Sequence, residues 1–398
     1  MTDHAFAATS GIMMAYTALH IQNSASSQER SLLLRLAQGV ILSFSLCCVG
    51  CSVIGFVGMK SSQPPSGSVR PPAVDSPIGK VSAPIAVERS EYWHPAMGTR
   101  FKIVVLTPVG KSAEASVESA FARIDEIEKV ASDWDRNSEV RVLCRSVPHI
   151  EPMKMSDDLR RILSLSQMIY ERSSGRFDVT LGGWTRLWRR CHKAGRIPSP
   201  EELAKASVGQ GMHHLQLSDQ GIYCTASQLA LDLGGIAKGF AVDEALKVMI
   251  DHGYPHSLVD GGGDIAFGPP APSSKGWIIE SPSGVFQFDQ AGAVATSGDS
   301  ARYIEVGGVR YSHILDPRTG FGLQSSRTIT VYSRSCAEAD AMATALSIPS
   351  QVVPDPLLQQ LQPYESVHII PHGTIGIERF GEFKGVEVQV EPVFEAPN

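Results

Sequence analysis

Two neighbouring stretches decide the fold. RFKIVVLTP (Arg100–Pro108) alternates apolar and polar side chains as a strand does, whereas SAEASVESAFARIDEIEKVAS (Ser112–Ser132) spaces Ala, Phe, Ile and Val at helical intervals. The hydrophobic period changes within a few residues, so strands alternate with helices. A second helix fits SDDLRRILSLSQMIYERS (Ser156–Ser173), with Ser156 placed to accept at its N-terminus. The expected class is therefore mixed α/β (α+β), with mixed sheets and packed helices. No internal repeat and no break in composition interrupts residues 87–383, which are read as one domain. A chain of 398 residues, 43% hydrophobic and 19% charged, has ample material for such a core.

Outside that span the composition changes. After an N-terminal segment, 1–35, the run LAQGVILSFSLCCVGCSVIGFVGM (Leu36–Met59) carries no charge and exceeds the ~20 residues that cross a bilayer. It is read as an uncleaved membrane anchor. The alternative is a lipoprotein signal cut before Cys51, but apolarity continues past that cysteine. Charges on the two flanks are balanced and leave the orientation open. Residues 60–86, rich in Pro, Gly and Ser, read as a tether, and 384–398 as a tail.

A net charge of -6 without a long basic run gives no footprint for nucleic acid. Cys47, Cys48 and Cys51 crowd into the apolar run, while Cys144, Cys191, Cys224 and Cys336 are scattered. Neither a disulfide framework nor a zinc site follows from this.

Four stretches carry chemistry. LALDLGGIAKGFAVDEALKVMIDHG (Leu229–Gly253) reads as a short strand, a turn at Gly234 and Gly235, and a helix ending before Gly253. Asp232 then sits at the strand end and Lys238 in the first helical turn, a common address for anions; a plain corner with a surface lysine is the alternative. In HSLVDGGGDIAFGPPAP (His256–Pro272), a dinucleotide fingerprint at Gly261, Gly263 and Ala266 is spoiled by Pro269 and Pro270. Its glycines suit a tight inter-strand turn or a close approach to ligand, flanked by Asp260 and Asp264. TSGDSARYIEVGGVRYSHILDPRTG (Thr296–Gly320) contains a hairpin about its paired glycines, and His313 stands just before a closing turn.

CAEADAMATAL (Cys336–Leu346) reads as a buried helix in which Asp340 and Thr344 share one face. An enclosed carboxylate is costly unless paired or bound to a cation, and oxygen donors without His or Cys suit Mg²⁺ or Ca²⁺. Alternatively, Asp340 serves the helix N-terminus and Thr344 bonds back to a carbonyl.

Taken together these stretches resemble the ApbE family, the FAD:protein FMN transferases. The matching order is MGT (Met97–Thr99), SDWDRNSEV (Ser132–Val140), GRFDVTLGGWTRLW (Gly175–Trp188), DLGGIAKGFAVD (Asp232–Asp243), VDGGGDIAFG (Val259–Gly268), SHILDPRTG (Ser312–Gly320) and AEADAMATAL (Ala337–Leu346). The resemblance covers nearly all of 87–383. It implies an FAD site drawn from Met97, Trp134, Arg176, Phe177, Asp178, Asp232, Lys238 and Ile314. It also implies Mg²⁺ held by the Gly235 carbonyl, Asp340 and Thr344.

The implied reaction moves FMN from FAD onto a Thr or Ser hydroxyl of an acceptor protein and releases AMP. That acceptor is expected to be a subunit of a membrane redox complex, with the catalytic domain anchored to the inner membrane on its periplasmic side. Lys238 would place charge near the phosphates or pair with Asp232. His313 is the candidate base, since imidazole titrates near neutrality.

The chain departs from the family at Cys144, usually Asn, at Ser300, usually Tyr, and at Trp134, usually Tyr. The first two keep open an Mg²⁺-dependent FAD pyrophosphatase yielding FMN and AMP, or a non-catalytic FAD-binding protein.

Overall fold

A hairpin opens the folded chain: β1 (Val87–Ala96) and β2 (Thr99–Pro108) pair antiparallel along their whole length. Phe101, Ile103 and Val105 of β2 join one buried cluster while Val104 joins another, so its alternation serves two apolar faces rather than one. The period then lengthens. Helix α1 (Glu114–Ala131) buries Val117, Ala120, Ile124 and Ile127, the stripe its spacing implies. The structure is a computed structural model that describes residues 86–388 apart from 273, 299–302, 325–326 and 372–375. The expected membrane segment, 36–59, lies outside the described residues. Among the described residues no helix is long and apolar enough to cross a membrane.

Next come α2 (Glu139–Arg145), β3 (His149–Met153) and α3 (Asp157–Arg172). Ser156 caps α3 as expected, its hydroxyl accepting from the Leu159 amide at 3.1 Å. A 3₁₀ turn (Val179–Leu181) leads into α4 (Gly182–Lys193) and α5 (Pro200–Ala206), and β4 (Leu215–Ser218) and β5 (Gly221–Cys224) follow.

The strand expected at residues 229–233 does not form. Its backbone bonds go instead to the 3₁₀ turn and its flanks: Gly182 donates to the Ala230 carbonyl at 3.0 Å and Asp232 to that of Val179 at 2.8 Å. An apolar run looks alike in a sheet and in a buried connection; only a neighbouring strand makes the difference.

The second half of the chain begins with α6 (Ala237–Asp251) and a hairpin of β6 (Ser257–Asp260) and β7 (Ile265–Phe267) about the three glycines. Strands β8 (Trp277–Ser281), β9 (Gly284–Phe288) and β10 (Gly292–Ser297) precede the expected hairpin, β11 (Tyr303–Val306) and β12 (Val309–Ser312). Then follow β13 (Arg327–Ser333), α7 (Cys336–Ser347), α8 (Pro356–Gln359), β14 (Ser366–Pro371), β15 (Glu378–Gly381) and β16 (Val386–Glu387). Because β16 pairs with β9, the fold runs past the expected boundary at residue 383.

The main sheet has eight strands in the order β1-β2-β6-β7-β10-β13-β14-β15. All its pairings are antiparallel, so the class is α+β and the expected mixed sheets are replaced by antiparallel ones. Helices α1, α6 and α7 belong to the larger apolar cluster on one face, and the small sheet β16-β9-β8 supplies Trp277, Ile279, Phe286 and Phe288 to the cluster on the other. Helices α4 and α5 meet the β11–β12 hairpin in a third cluster built on Trp184, Leu187 and Trp188.

One core side chain is titratable. His368 on β14 is fully buried among Phe286, Tyr332 and Phe383. Its Nδ1 meets the Ser283 hydroxyl at 2.9 Å, and its Nε2 has no partner. Burial, aided by the charge of Arg379, pushes its pKa down to about 4. The unfolded chain therefore binds the proton first as pH falls below about 6.5, and stability drains until the folded form protonates near pH 4. Between pH 7 and 4 this group is expected to cost about 3 kcal/mol. Denaturant titrations of wild type and His368→Leu at pH 7 and pH 4.5 check this: the wild type should lose more, and equal losses would contradict it.

Candidate active site

Helix α7 is positioned by α6. Ser335 caps it, accepting from the Glu338 amide at 3.3 Å, and Asp243 of α6 reaches across to the same end. Its carboxylate accepts from the Ser335 hydroxyl at 2.8 Å, the Cys336 amide at 2.9 Å and the Ala337 amide at 3.0 Å. Two orphan amides of a helix terminus, and the hydroxyl of its capping residue, are thereby satisfied by a neighbouring helix. The contact is close because residue 239 is glycine: a Cβ there would stand 2.4 Å from the Cys336 carbonyl oxygen.

This docking sets Asp340 against the start of α6. Asp340 is only 5% exposed; its Oδ2 accepts from the Gly239 amide at 3.3 Å and lies 3.6 Å from the Lys238 Nζ. Lys238 is also bonded to Asp264, at the end of the glycine turn between β6 and β7. It does not pair with Asp232. Burial alone would lower the lysine pKa, but the charges of Asp340 and Asp264 outweigh it and hold the ammonium above its usual value. Burial, reinforced by Asp340, pushes Asp264 well above the usual carboxylate range against the pull of Lys238. Two enclosed carboxylates share one ammonium, so a proton or a further cation must balance the second.

Thr344 lies one turn along, where its hydroxyl meets Ser297 of β10 at 3.3 Å. It faces Gly235: a Cβ on that glycine would lie 3.1 Å from Thr344 Oγ1 and 3.3 Å from the Phe177 ring. Gly235, Phe177, Lys238, Asp340 and Thr344 are thus brought together, and Asp264 and Ser297 join them. The local explanation for the helix pair does not hold. Asp340 lies beyond the first turn, whose acid is Glu338, and Thr344 meets a hydroxyl from the sheet.

Among the described residues no group of three His, Cys, Asp or Glu could hold a metal. A cation here would use one carboxylate with hydroxyl and carbonyl oxygens, a set that fits Mg²⁺ and leaves room for phosphate or water.

A second group borders this one. Trp134 is 70% exposed and the Arg189 guanidinium lies over its ring at 4.2 Å. Arg189 is bonded to Asp133 and lies 3.5 Å from Asp232. Asp232 in turn accepts from the Gly234 amide at 2.9 Å, joining the aromatic platform to the turn that carries Gly235. Asp133 is raised chiefly by burial and then by the charge of Asp232.

Met97 occupies the β1–β2 turn with φ of 50°, beside Gly98 at 71°. A methionine there costs about 1–2 kcal/mol relative to a glycine. The glycine turn lies alongside, since a Cβ on Gly262 would come within 2.5 Å of the Thr99 hydroxyl.

The remaining expected residues have other partners. Arg176 forks onto Asp355 at 2.7 and 2.8 Å, and Asp178 accepts from the Thr180 amide and hydroxyl at 2.7 and 2.6 Å. Both brace the chain around Phe177. Burial raises Asp178 above the usual carboxylate range. His313 is exposed after β12, and Ile314 is half-buried with its amide on the Ser312 hydroxyl at 3.1 Å. Asp243, Ser297 and Arg189 carry no local signal of their roles in the sequence. The Asp-Gly-Gly-Gly-Asp stretch marked Asp264 only as a flank.

Residues 97–364 match the sequence model of the ApbE family. An FAD:protein FMN transferase of Chlamydia muridarum is 32% identical over 245 residues, spanning 60% of this chain and 76% of that protein. One from Vibrio cholerae is 30% identical, spanning 64% and 79%. Among solved structures, the ApbE protein of Thermotoga maritima superposes with a TM-score of 0.66 at 27% identity, covering 74% of this chain and 97% of that one. The flavinyl transferase ApbE of Pseudomonas stutzeri gives 0.63 at 25% identity, covering 74% and 94%.

Proposed function

The chain belongs to the ApbE family and is a flavin transferase, and from that premise we propose that it moves FMN from FAD onto a Thr or Ser hydroxyl of an acceptor protein, in an Mg²⁺-dependent reaction that releases AMP. The observation that carries this reading is the meeting of Asp340, Thr344 and Gly235 beside Lys238. These three would hold Mg²⁺, and the bound ion supplies charge neutralisation at the diphosphate.

The protein's own groups do the rest. Trp134, backed by Arg189, offers a face on which a flavin or adenine ring can stack. Met97, Phe177, Asp178, Asp232 and Ile314 complete the FAD site, and Arg176 holds Phe177 in place through Asp355. Lys238 fixes the orientation of Asp340 and Asp264 and places its charge beside the reacting phosphate. The acceptor oxygen attacks the phosphorus of the FMN half, the bond to the AMP oxygen breaks, and His313 takes the hydroxyl proton. The acceptor is a subunit of a membrane redox complex, and the anchor at 36–59 holds the domain on the periplasmic side of the inner membrane.

Three outcomes separate transfer from its rivals when the domain is incubated with FAD, Mg²⁺ and an acceptor bearing an Asp-Gly-x-[Ser/Thr]-x-[Ser/Thr] segment. Flavin fluorescence that stays with the denatured acceptor, with equal AMP released, is the expected result. Free FMN with AMP would identify a pyrophosphatase. Intact bound FAD would identify a carrier.

A further inference from the structure

One row of side chains crosses the edge of the main sheet. Arg100 and Lys102 alternate with Phe101 on β2 and so share a face; Trp93 of β1 stands opposite Lys102, and Asp260 of β6 stands opposite it on the other side. Val104, next along that face, is buried against the small sheet, whereas Trp93 is 48% exposed and Arg100 is exposed too. The row is therefore the uncovered end of an otherwise covered face. It is also continuous with the candidate site. Arg100 follows the Met97 turn, and Asp260, 3.6 Å from the Lys102 Nζ, accepts from the Gly262 and Gly263 amides of the glycine turn at 3.0 and 2.9 Å.

The Arg100 guanidinium lies 4.2 Å from the centre of the Trp93 ring, and the Lys102 ammonium 5.4 Å. Stacking on the indole holds the guanidinium plane and leaves its N–H edge free, the fork that grips a carboxylate. Lys102 has Asp260, but among the described residues no carboxylate lies within salt-bridge distance of Arg100. In a chain of net charge -6, an exposed cation on an exposed indole is a local exception that complements an acidic partner. Trp and Arg are also the side chains that most often anchor protein interfaces. The outer edge of β1 pairs with no strand among the described residues, so an extended peptide could add its backbone there while its carboxylate meets Arg100. A lipid headgroup would meet the cations and leave that edge unused, which favours a protein.

We propose that Trp93, Arg100 and the outer edge of β1 form the docking surface for the acceptor protein and take an extended acidic segment of it beside the flavin site; this rests on the flavin-transferase reading.

The test is fluorescence anisotropy of a labelled acceptor bearing an Asp-Gly-x-[Ser/Thr]-x-[Ser/Thr] segment, titrated with the full chain in EDTA and without FAD, so that docking is separated from chemistry. The dependence of transfer on acceptor and on FAD is then measured with Mg²⁺. Arg100→Glu is expected to weaken acceptor binding about tenfold or more and to raise the acceptor KM in step, with the KM for FAD unchanged. Trp93→Ala should act in the same direction. Arg100→Lys, which keeps the charge and loses the fork, should fall between and serves if another variant does not fold. Changing the acceptor's acidic residues to Lys one at a time should restore binding to Arg100→Glu in at least one case. Wild type that does not bind the acceptor, or variants that bind it as tightly as wild type, would overturn the surface; transfer of FMN by the same proteins would leave the flavin-transferase reading standing. Binding that depends on Arg100 in a chain that transfers no FMN would sustain the surface and remove that reading. Phosphatidylglycerol vesicles that retain wild type better than Arg100→Glu, with equal acceptor affinity in the two, would assign the cations to lipid and overturn the proposal.

Discussion

Asp340→Ala is expected to lower FMN transfer on the order of a thousandfold, about 4 kcal/mol of transition-state stabilisation, while leaving the fold intact. The carboxylate is the one full negative charge among the three proposed Mg²⁺ ligands, so its loss removes most of the site's hold on the cation. The fold tolerates the change because Lys238 keeps Asp264, and the like-charge strain between the two carboxylates disappears. Asp340→Asn should behave similarly, since it keeps the shape and loses the charge. A thermal melt with and without Mg²⁺ provides a readout apart from activity. Wild type should melt higher with the ion, and both variants should not respond. A variant that retains both turnover and the Mg²⁺ shift would remove Asp340 from the metal site.

Gly239→Ala should have the largest effect on stability. The added Cβ would lie 2.4 Å from the Cys336 carbonyl oxygen, 2.7 Å from its carbon and 2.8 Å from the Ala337 Cα. All three are backbone atoms of α7, so no side chain can swing aside; the two helices must separate. Overpacking of this kind costs about 3 kcal/mol or more, or roughly 10 °C in melting temperature for a domain of this size. Separation would also draw Asp340 from the Gly239 amide and Thr344 from Gly235. Activity should therefore fall further than the fraction unfolded accounts for. A melting temperature within about 2 °C of wild type would contradict the close packing.

What the sequence disclosed depended on range. Local signals survived: the period of 100–108 and 112–132, the Ser156 cap, the glycine turn after Asp260 and the hairpin about Gly307 and Gly308 all appear where expected. Each is set by residues within a few positions of one another. Partner choice was not legible. Nothing near Lys238 says that it bonds Asp264 rather than Asp232, and nothing near Arg176 announces Asp355. Those pairs are chosen by the order of strands in the sheet and by how α6 and α7 dock. The missing strand at 229–233 has the same origin, since its apolar residues are buried as expected but beside a 3₁₀ turn. Asp340 and Thr344 lay between the extremes. Helical spacing put them on one face and the family resemblance added Gly235, but the packing of α6 against α7 is what sets Gly235 beside Thr344.

The proposed reaction is covalent FMN transfer by this domain with Asp340, Thr344 and Gly235 as its metal site. Intact-mass spectrometry of the purified acceptor after incubation with FAD tests it most directly. A mass increase of one FMN residue is expected with wild type and Mg²⁺, and none with EDTA, with Asp340→Ala, or with the acceptor hydroxyl replaced by alanine. An unmodified acceptor beside fully consumed FAD, or an FMN adduct undiminished by EDTA and by Asp340→Ala, would contradict it.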